Sequence, residues 1–148
     1  MMNGFQRLNV LLVEDDDIAA EAVVRGLRIN GLDYAVVVAE DGATALQILR
    51  GEHAERSLEQ PFLVLLDLSM PRMSGLEFLR ELRADARISD SVVFVLTSSG
   101  ADEDRAAAYR QHIAGYMVKS GVGPQFSGLA RFLAEYVRVV LLPPARAR

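Results

Sequence analysis

VLLVEDDDIAAEAVVRGLRINGLDYAVVVAED, residues 10–41, holds the pattern that decides the fold. It opens with four aliphatic residues, Val10 to Val13, and runs straight into four carboxylates, Glu14 to Asp17. Ile18, Ala22, Gly26 and Ile29 then recur at helical spacing, and Asn30-Gly31 supplies a stop. A second apolar run, Tyr34 to Ala39, follows and ends in another acid pair, Glu40-Asp41. Apolar runs with little polar alternation suit strands buried on both faces. The expected unit is strand, helix, strand, with acids where the strands end.

The unit continues along the chain. Further apolar runs are Phe62 to Leu66, Val92 to Leu96 and Ile113 to Val118. Between the runs, Ala45, Leu46 and Leu49 share a helix face after Asp41-Gly42, ending near Gly51. Leu76, Leu79 and Leu82 follow Ser74, which forms a capping box with Glu77. The alanine-rich stretch Ala101 to Gln111 begins with Asp102, Glu103 and Asp104, charges that favour a helix N-terminus. Leu129, Leu133, Tyr136 and Val140 mark a last helix, which Pro143-Pro144 ends. The polar stretch Gly51 to Pro61 reads as a surface loop. Five βα repeats imply an α/β fold: an open parallel sheet with helices on both faces, joined by right-handed crossovers. The expected organisation is one domain over residues 1–148, with frayed ends at about 1–6 and 143–148 and no output domain.

Composition narrows the function. At 148 residues the chain is long enough for a substantial core. A net charge of −4 gives none of the basic field a general nucleic-acid binder needs, so no nucleic-acid partner is expected. The chain has no cysteine, which excludes disulfides and thiolate metal sites. No apolar run approaches the ~20 residues of a membrane helix, and the N-terminus lacks a signal-peptide core. The default expectation is a cytoplasmic protein without a membrane partner.

In open α/β sheets, ligands bind beyond the carboxyl ends of the strands. The first run ends in Glu14-Asp15, the third in Asp67, the fourth in Thr97 and the fifth in Lys119. If those four strands lie side by side, these residues converge at one edge. Carboxylates in contact repel by roughly 4 kcal/mol per pair at an effective dielectric of about 20, and a divalent hard cation relieves this. Magnesium takes oxygen ligands and needs only one or two carboxylates from a protein. A carboxylate beside it can act as nucleophile toward a phosphoryl group, whose oxygens Lys119 and Thr97 would then meet.

Four motifs carry a family resemblance: LLVEDDD at 11–17, LLDLSMPRMSGLEFL at 65–79, VFVLTSS at 93–99 and GYMVKS at 115–120. In this order and spacing, the chain resembles the response-regulator receiver domain of two-component signalling. The resemblance implies the flavodoxin-like, doubly wound (βα)5 fold, with a five-stranded parallel sheet in the order 2-1-3-4-5. It implies Asp67 as phosphoacceptor. Magnesium would be held by Glu14, Asp15, Asp67 and the backbone carbonyl of Ser69, with Asp15 favoured as a direct ligand. It further implies Thr97 as the switch hydroxyl, Lys119 as the site lysine and Tyr116 as the aromatic that swings inward on activation. Two positions depart from the family pattern. Ser120 follows Lys119 where proline is usual, so the Lys119-Ser120 peptide need not be cis. Ser69 and Ser99, the positions that flank the phosphoryl group in the family, are both small.

Singly, these residues have ordinary roles. Asp16 or Asp17 can cap a helix, Asp67 and Thr97 can serve turns, Lys119 can be a surface charge and Tyr116 a packing residue. His53 and His112 read as solvated, and Asp41 as the cap of the second helix. Joint placement at strand ends favours the phosphoryl-transfer reading. The expected function is a response regulator that accepts a phosphoryl group from a sensor histidine kinase, rather than a turnover enzyme. The alternatives are a receiver-like adaptor that is never phosphorylated, or a phosphate sink. A small phosphatase is disfavoured because Ser69 cannot act as a second acid. A flavin-binding module is disfavoured because no phosphate loop follows the first strand.

Between Gln125 and Leu142 the last helix is apolar over more than half its circumference, wider than one sheet face requires. Phe126, Phe132, Tyr136, Val139 and Val140 are the expected homodimer surface, together with the fourth helix or fifth strand. The alternative folds Leu141 and Leu142 back on the same chain. The Lys-Ser pair, the hydrophobic last helix and the expected lack of an output domain are similar to the small receivers that pair with bacterial phytochromes. That similarity implies a light-regulated histidine kinase as phosphodonor.

Overall fold

The computed structural model describes residues 7–70 and 72–145. The strands are β1 (Asn9–Val13), β2 (Ala35–Ala39), β3 (Phe62–Leu66), β4 (Val93–Thr97) and β5 (Gly115–Val118). They alternate with α1 (Asp17–Ile29), α2 (Gly42–Leu49), α3 (Gly75–Ala84), α4 (Asp102–Arg110) and α5 (Ser127–Val139). The sheet is parallel, in the order β2-β1-β3-β4-β5, the flavodoxin-like arrangement. β1, the last four residues of β3, and β4 are buried throughout because strands flank them and helices cover both faces.

Alternate residues of each strand feed two separate cores. Leu11 and Val13 point into one, with Ala45, Leu46 and Leu49 of α2, Phe78 and Leu82 of α3, and Ala108 of α4. Val10 and Leu12 point into the other, with Val23 and Leu27 of α1 and Leu129 and Leu133 of α5. Each fully buried Leu or Val contributes about 1.5–3 kcal/mol. The helix starts follow their caps. The Asp16 side chain accepts from Ile18 and Ala19 N–H, Asp41 from Thr44 N–H, and Ser74 and Glu77 form the reciprocal capping box.

Several expectations are corrected. Residues 51–61 are more than a surface loop. Leu58 is buried in the first core, and Arg56 reaches the edge strand, donating to the Val38 carbonyl at 2.7 Å and to both Glu40 oxygens at 2.7 and 3.0 Å. That hydrogen-bonded pairing holds the Glu40 carboxyl down at about 2. His53 is half-buried, its Nδ1 accepting from the Glu55 and Arg56 N–H groups. The last helix is shorter than the apolar pattern suggests. It begins at Ser127 and ends at Val139, before Pro143-Pro144, and Val140 is extended. Phe126 precedes it in a left-handed conformation, against Gly26 of α1. Phe126 and Val140 therefore lie off the helix. Leu142 folds back on the second core while Leu141 is exposed. Of the expected frayed ends, 1–6 and 146–148 lie outside the described residues.

Candidate functional site

The site begins where the sheet's hydrogen-bond ladder ends. Glu14 N–H donates to the Ala39 carbonyl and Asp67 N–H to the Val13 carbonyl, each at 3.0 Å. Both backbones are thus fixed by neighbouring strands. The side chains emerge together at the carboxyl edge, with one oxygen each of Glu14, Asp15 and Asp67 lying within 4.8 Å of one another. Glu14 and Asp67 are buried, and Asp15 is the most exposed of the three.

Asp67 sits at the centre. Its Oδ1 accepts from the Thr97 hydroxyl at 2.9 Å and from the Ser69 N–H at 3.0 Å. Its Oδ2 lies 3.5 Å from Lys119 Nζ. Thr97 is the last residue of β4 and fully buried, so its hydroxyl is held in place by packing on all sides. Lys119 follows β5 directly and donates to Glu14 Oε1 at 2.8 Å. Burial raises the Glu14 pKa, against the Lys119 hydrogen bond, and the Asp67 charge raises it further. Burial works to lower the Lys119 pKa, but Glu14 and Asp67 outweigh it and the net shift is upward.

When all are ionised, one ammonium against three carboxylates leaves an excess of two negative charges, equal and opposite to one divalent cation. The donors are hard carboxylate oxygens, and burial with mutual repulsion already pushes Glu14 toward its protonated form. That donor set fits magnesium.

The structure thus brings Glu14, Asp15, Asp67, Thr97 and Lys119 together. Ser69 adjoins them through its backbone. Tyr116 stands one step away, half-buried, its hydroxyl donating to the Ser99 carbonyl at 2.8 Å. Glu40-Asp41 does not join. β2 is an edge strand, so Glu40 pairs with Arg56 and Asp41 caps α2. The Lys119–Ser120 peptide is trans and enters a short 3-10 turn, Lys119–Gly121. Sequence reasoning missed the Ser69 N–H on Asp67 and a hydrogen bond from Ser99 Oγ to Asp104 Oδ2 at 2.6 Å. The second had a faint signal: alanine at the N-cap of α4 leaves that helix without a side-chain cap.

A flavodoxin-like sheet with an acidic pocket at its carboxyl edge, faced by a threonine and a lysine, defines the receiver class of signalling domains. The response regulator receiver domain family matches residues 10–125, and the chain belongs to it. Within that family it is related to phytochrome response regulators. It is 32% identical over 137 residues to response regulator Rcp1 of Synechocystis sp., covering 92% of this chain and 93% of that protein. The Mn(2+)-bound form of Rcp1 superposes with a TM-score of 0.77 at 28% identity, covering 94% of this chain and 100% of that one. The phosphorylated cyanobacterial phytochrome response regulator RcpA does so with a TM-score of 0.77 at 26% identity, covering 95% and 100%. Receiver domains generally bind magnesium in such an acidic pocket. Among the described residues, no helix is long and apolar enough to cross a membrane.

Proposed function

We propose that this response regulator accepts a phosphoryl group on Asp67 from the phosphohistidine of a sensor histidine kinase. The observation that carries this reading is the set of groups around one carboxylate: Thr97, Lys119 and the Ser69 N–H touch Asp67, with Glu14 and Asp15 beside it. An Asp67 oxygen attacks phosphorus, the P–N bond breaks, and the kinase imidazole leaves with the electron pair. The site contributes position and charge, as phosphoryl transfer requires. Glu14, Asp15, Asp67 and the Ser69 carbonyl would hold magnesium, which supplies positive charge at the phosphoryl oxygens. The Thr97 hydroxyl turns from Asp67 Oδ1 to a phosphoryl oxygen. Lys119, already between Glu14 and Asp67, neutralises a second. The similarity to Rcp1 and RcpA supports a phytochrome-type kinase as the donor.

The test is incubation with magnesium and acetyl phosphate, followed by intact mass. The wild type should gain one phosphoryl group and Asp67→Asn none. Equal gain by the variant removes the assignment, and no gain by the wild type favours an adaptor. Phosphotransfer from a kinase without any downstream response would mark a phosphate sink.

A second copy of the chain is the proposed partner for α5. Phe132 is 40% exposed, and with Tyr136 it packs edge-on against Phe94 of β4, at 5.3 and 5.2 Å between ring centroids. Beyond these rings Val139 is 76% exposed. Phe132, Tyr136 and Val139 form the proposed homodimer face, whereas Phe126 is taken up by contact with α1.

A further inference from the structure

We propose that Asp104, in the first turn of α4, is a positioning residue that holds the β4–α4 loop in the form that receives Tyr116. The inference rests on the phosphoryl-transfer reading for its purpose, but its geometry stands without it. Ser99 is the junction. Its hydroxyl donates to Asp104 Oδ2 at 2.6 Å and accepts from Ala101 N–H at 3.3 Å. Its carbonyl accepts from the Tyr116 hydroxyl at 2.8 Å. One residue therefore ties the exit of β4 to α4 through its side chain and to β5 through its backbone.

The Asp104 bond is the stronger constraint on that loop. A hydroxyl–carboxylate bond of this length is charge-assisted, and such bonds are roughly twice as strong as neutral ones. Ala101 gives α4 no side-chain cap, so Asp104 supplies the first-turn link that a cap would otherwise make. Without Asp104 the Ser99 hydroxyl keeps only the longer bond from Ala101 N–H, its peptide can reorient, and Tyr116 loses a fixed acceptor. The bond needs no phosphoryl group. A bias toward the Tyr116-bonded form is thus built into the unphosphorylated fold, and phosphorylation adds to it.

Ring-labelled tyrosine NMR on the unphosphorylated full chain tests this, with Tyr116→Phe assigning the signal. Asp104→Ala should displace the Tyr116 ring signal and shift the bonded-to-released ratio by roughly tenfold, the effect of losing one hydrogen bond to a charged group. Asp104→Asn keeps a carbonyl acceptor for Ser99 and should restore most of the signal. Ser99→Ala should displace the signal at least as far as Asp104→Ala, since it also removes the bond from Ala101 N–H, and the double variant should add nothing beyond Ser99→Ala. An unmoved Tyr116 signal in either single variant overturns the proposal, as does an additive double variant. If Asp104→Ala does not fold, Ser99→Ala carries the same test. No phosphodonor is present, so the outcome is independent of whether Asp67 accepts a phosphoryl group.

Discussion

Gly75 shows how little room the site leaves at the residue scale. It opens α3 directly beneath the segment that carries Asp67. A Cβ built there would lie 2.6 Å from Leu68 Cα and 2.8 Å from the Asp67 carbonyl oxygen. Both are backbone atoms, so no side-chain rotation relieves the clash. Gly75→Ala should therefore cost about 1–3 kcal/mol, read as a lower urea midpoint. It should also slow phosphoryl gain by displacing Asp67. A variant with wild-type midpoint and rate would show that the β3–α3 segment moves freely. The residues of the site were legible because each acid or its partner stands where an apolar run stops, as Glu14, Asp67, Thr97 and Lys119 do. The Ser69 N–H on Asp67 was not legible, because a backbone donor leaves no mark in composition. The Ser99–Asp104 bond was hidden for a related reason. Asp104 reads equally well as a charge favourable to the start of a helix.

At the scale of elements, α5 is where pattern and structure part. The run Val139-Val140-Leu141-Leu142 contains no polar break, so helical periodicity cannot mark the end. The helix gives way to extended backbone at Val140, and Leu142 packs back onto the second core, a contact set by tertiary packing. Its start was equally obscure. Gln125 and Phe126 both take left-handed conformations, with Phe126 fitted against Gly26 of α1. By contrast α3 was legible from Ser74 and Glu77, since a capping box is a local device. The exposed part of α5 makes the dimer testable. Val139→Arg, at the 76% exposed end of this face, should elute as a monomer at concentrations where the wild type elutes as a dimer, with unchanged helix content. Wild type that stays monomeric at high micromolar concentration, phosphorylated or not, removes the dimer.

For the whole molecule, the three clustered carboxylates oppose the stability of the metal-free fold. Magnesium should therefore raise the thermal midpoint, by the equivalent of about 2.7 kcal/mol when present at about a hundredfold its dissociation constant. Asp15→Asn should blunt that rise while itself folding normally, because Asp15 is the most exposed of the three acids. A wild-type midpoint indifferent to magnesium would mean that the folded cluster does not bind it. The βα alternation made the fold class legible from sequence, since every connection obeys the same crossover rule. Strand order was legible only through the family motifs, because apolar runs do not state their neighbours. The way the site's residues are fastened divides the molecule. Glu14 and Asp67 are held by backbone bonds that extend the sheet, whereas Ser99 is tied to α4, and the Tyr116 hydroxyl to Ser99, through side-chain bonds. A substitution can remake a side-chain bond but cannot easily remake a ladder. Substitutions in the β4–α4 loop and α4 can thus reshape the surface they form while the acidic cluster beside it keeps its place.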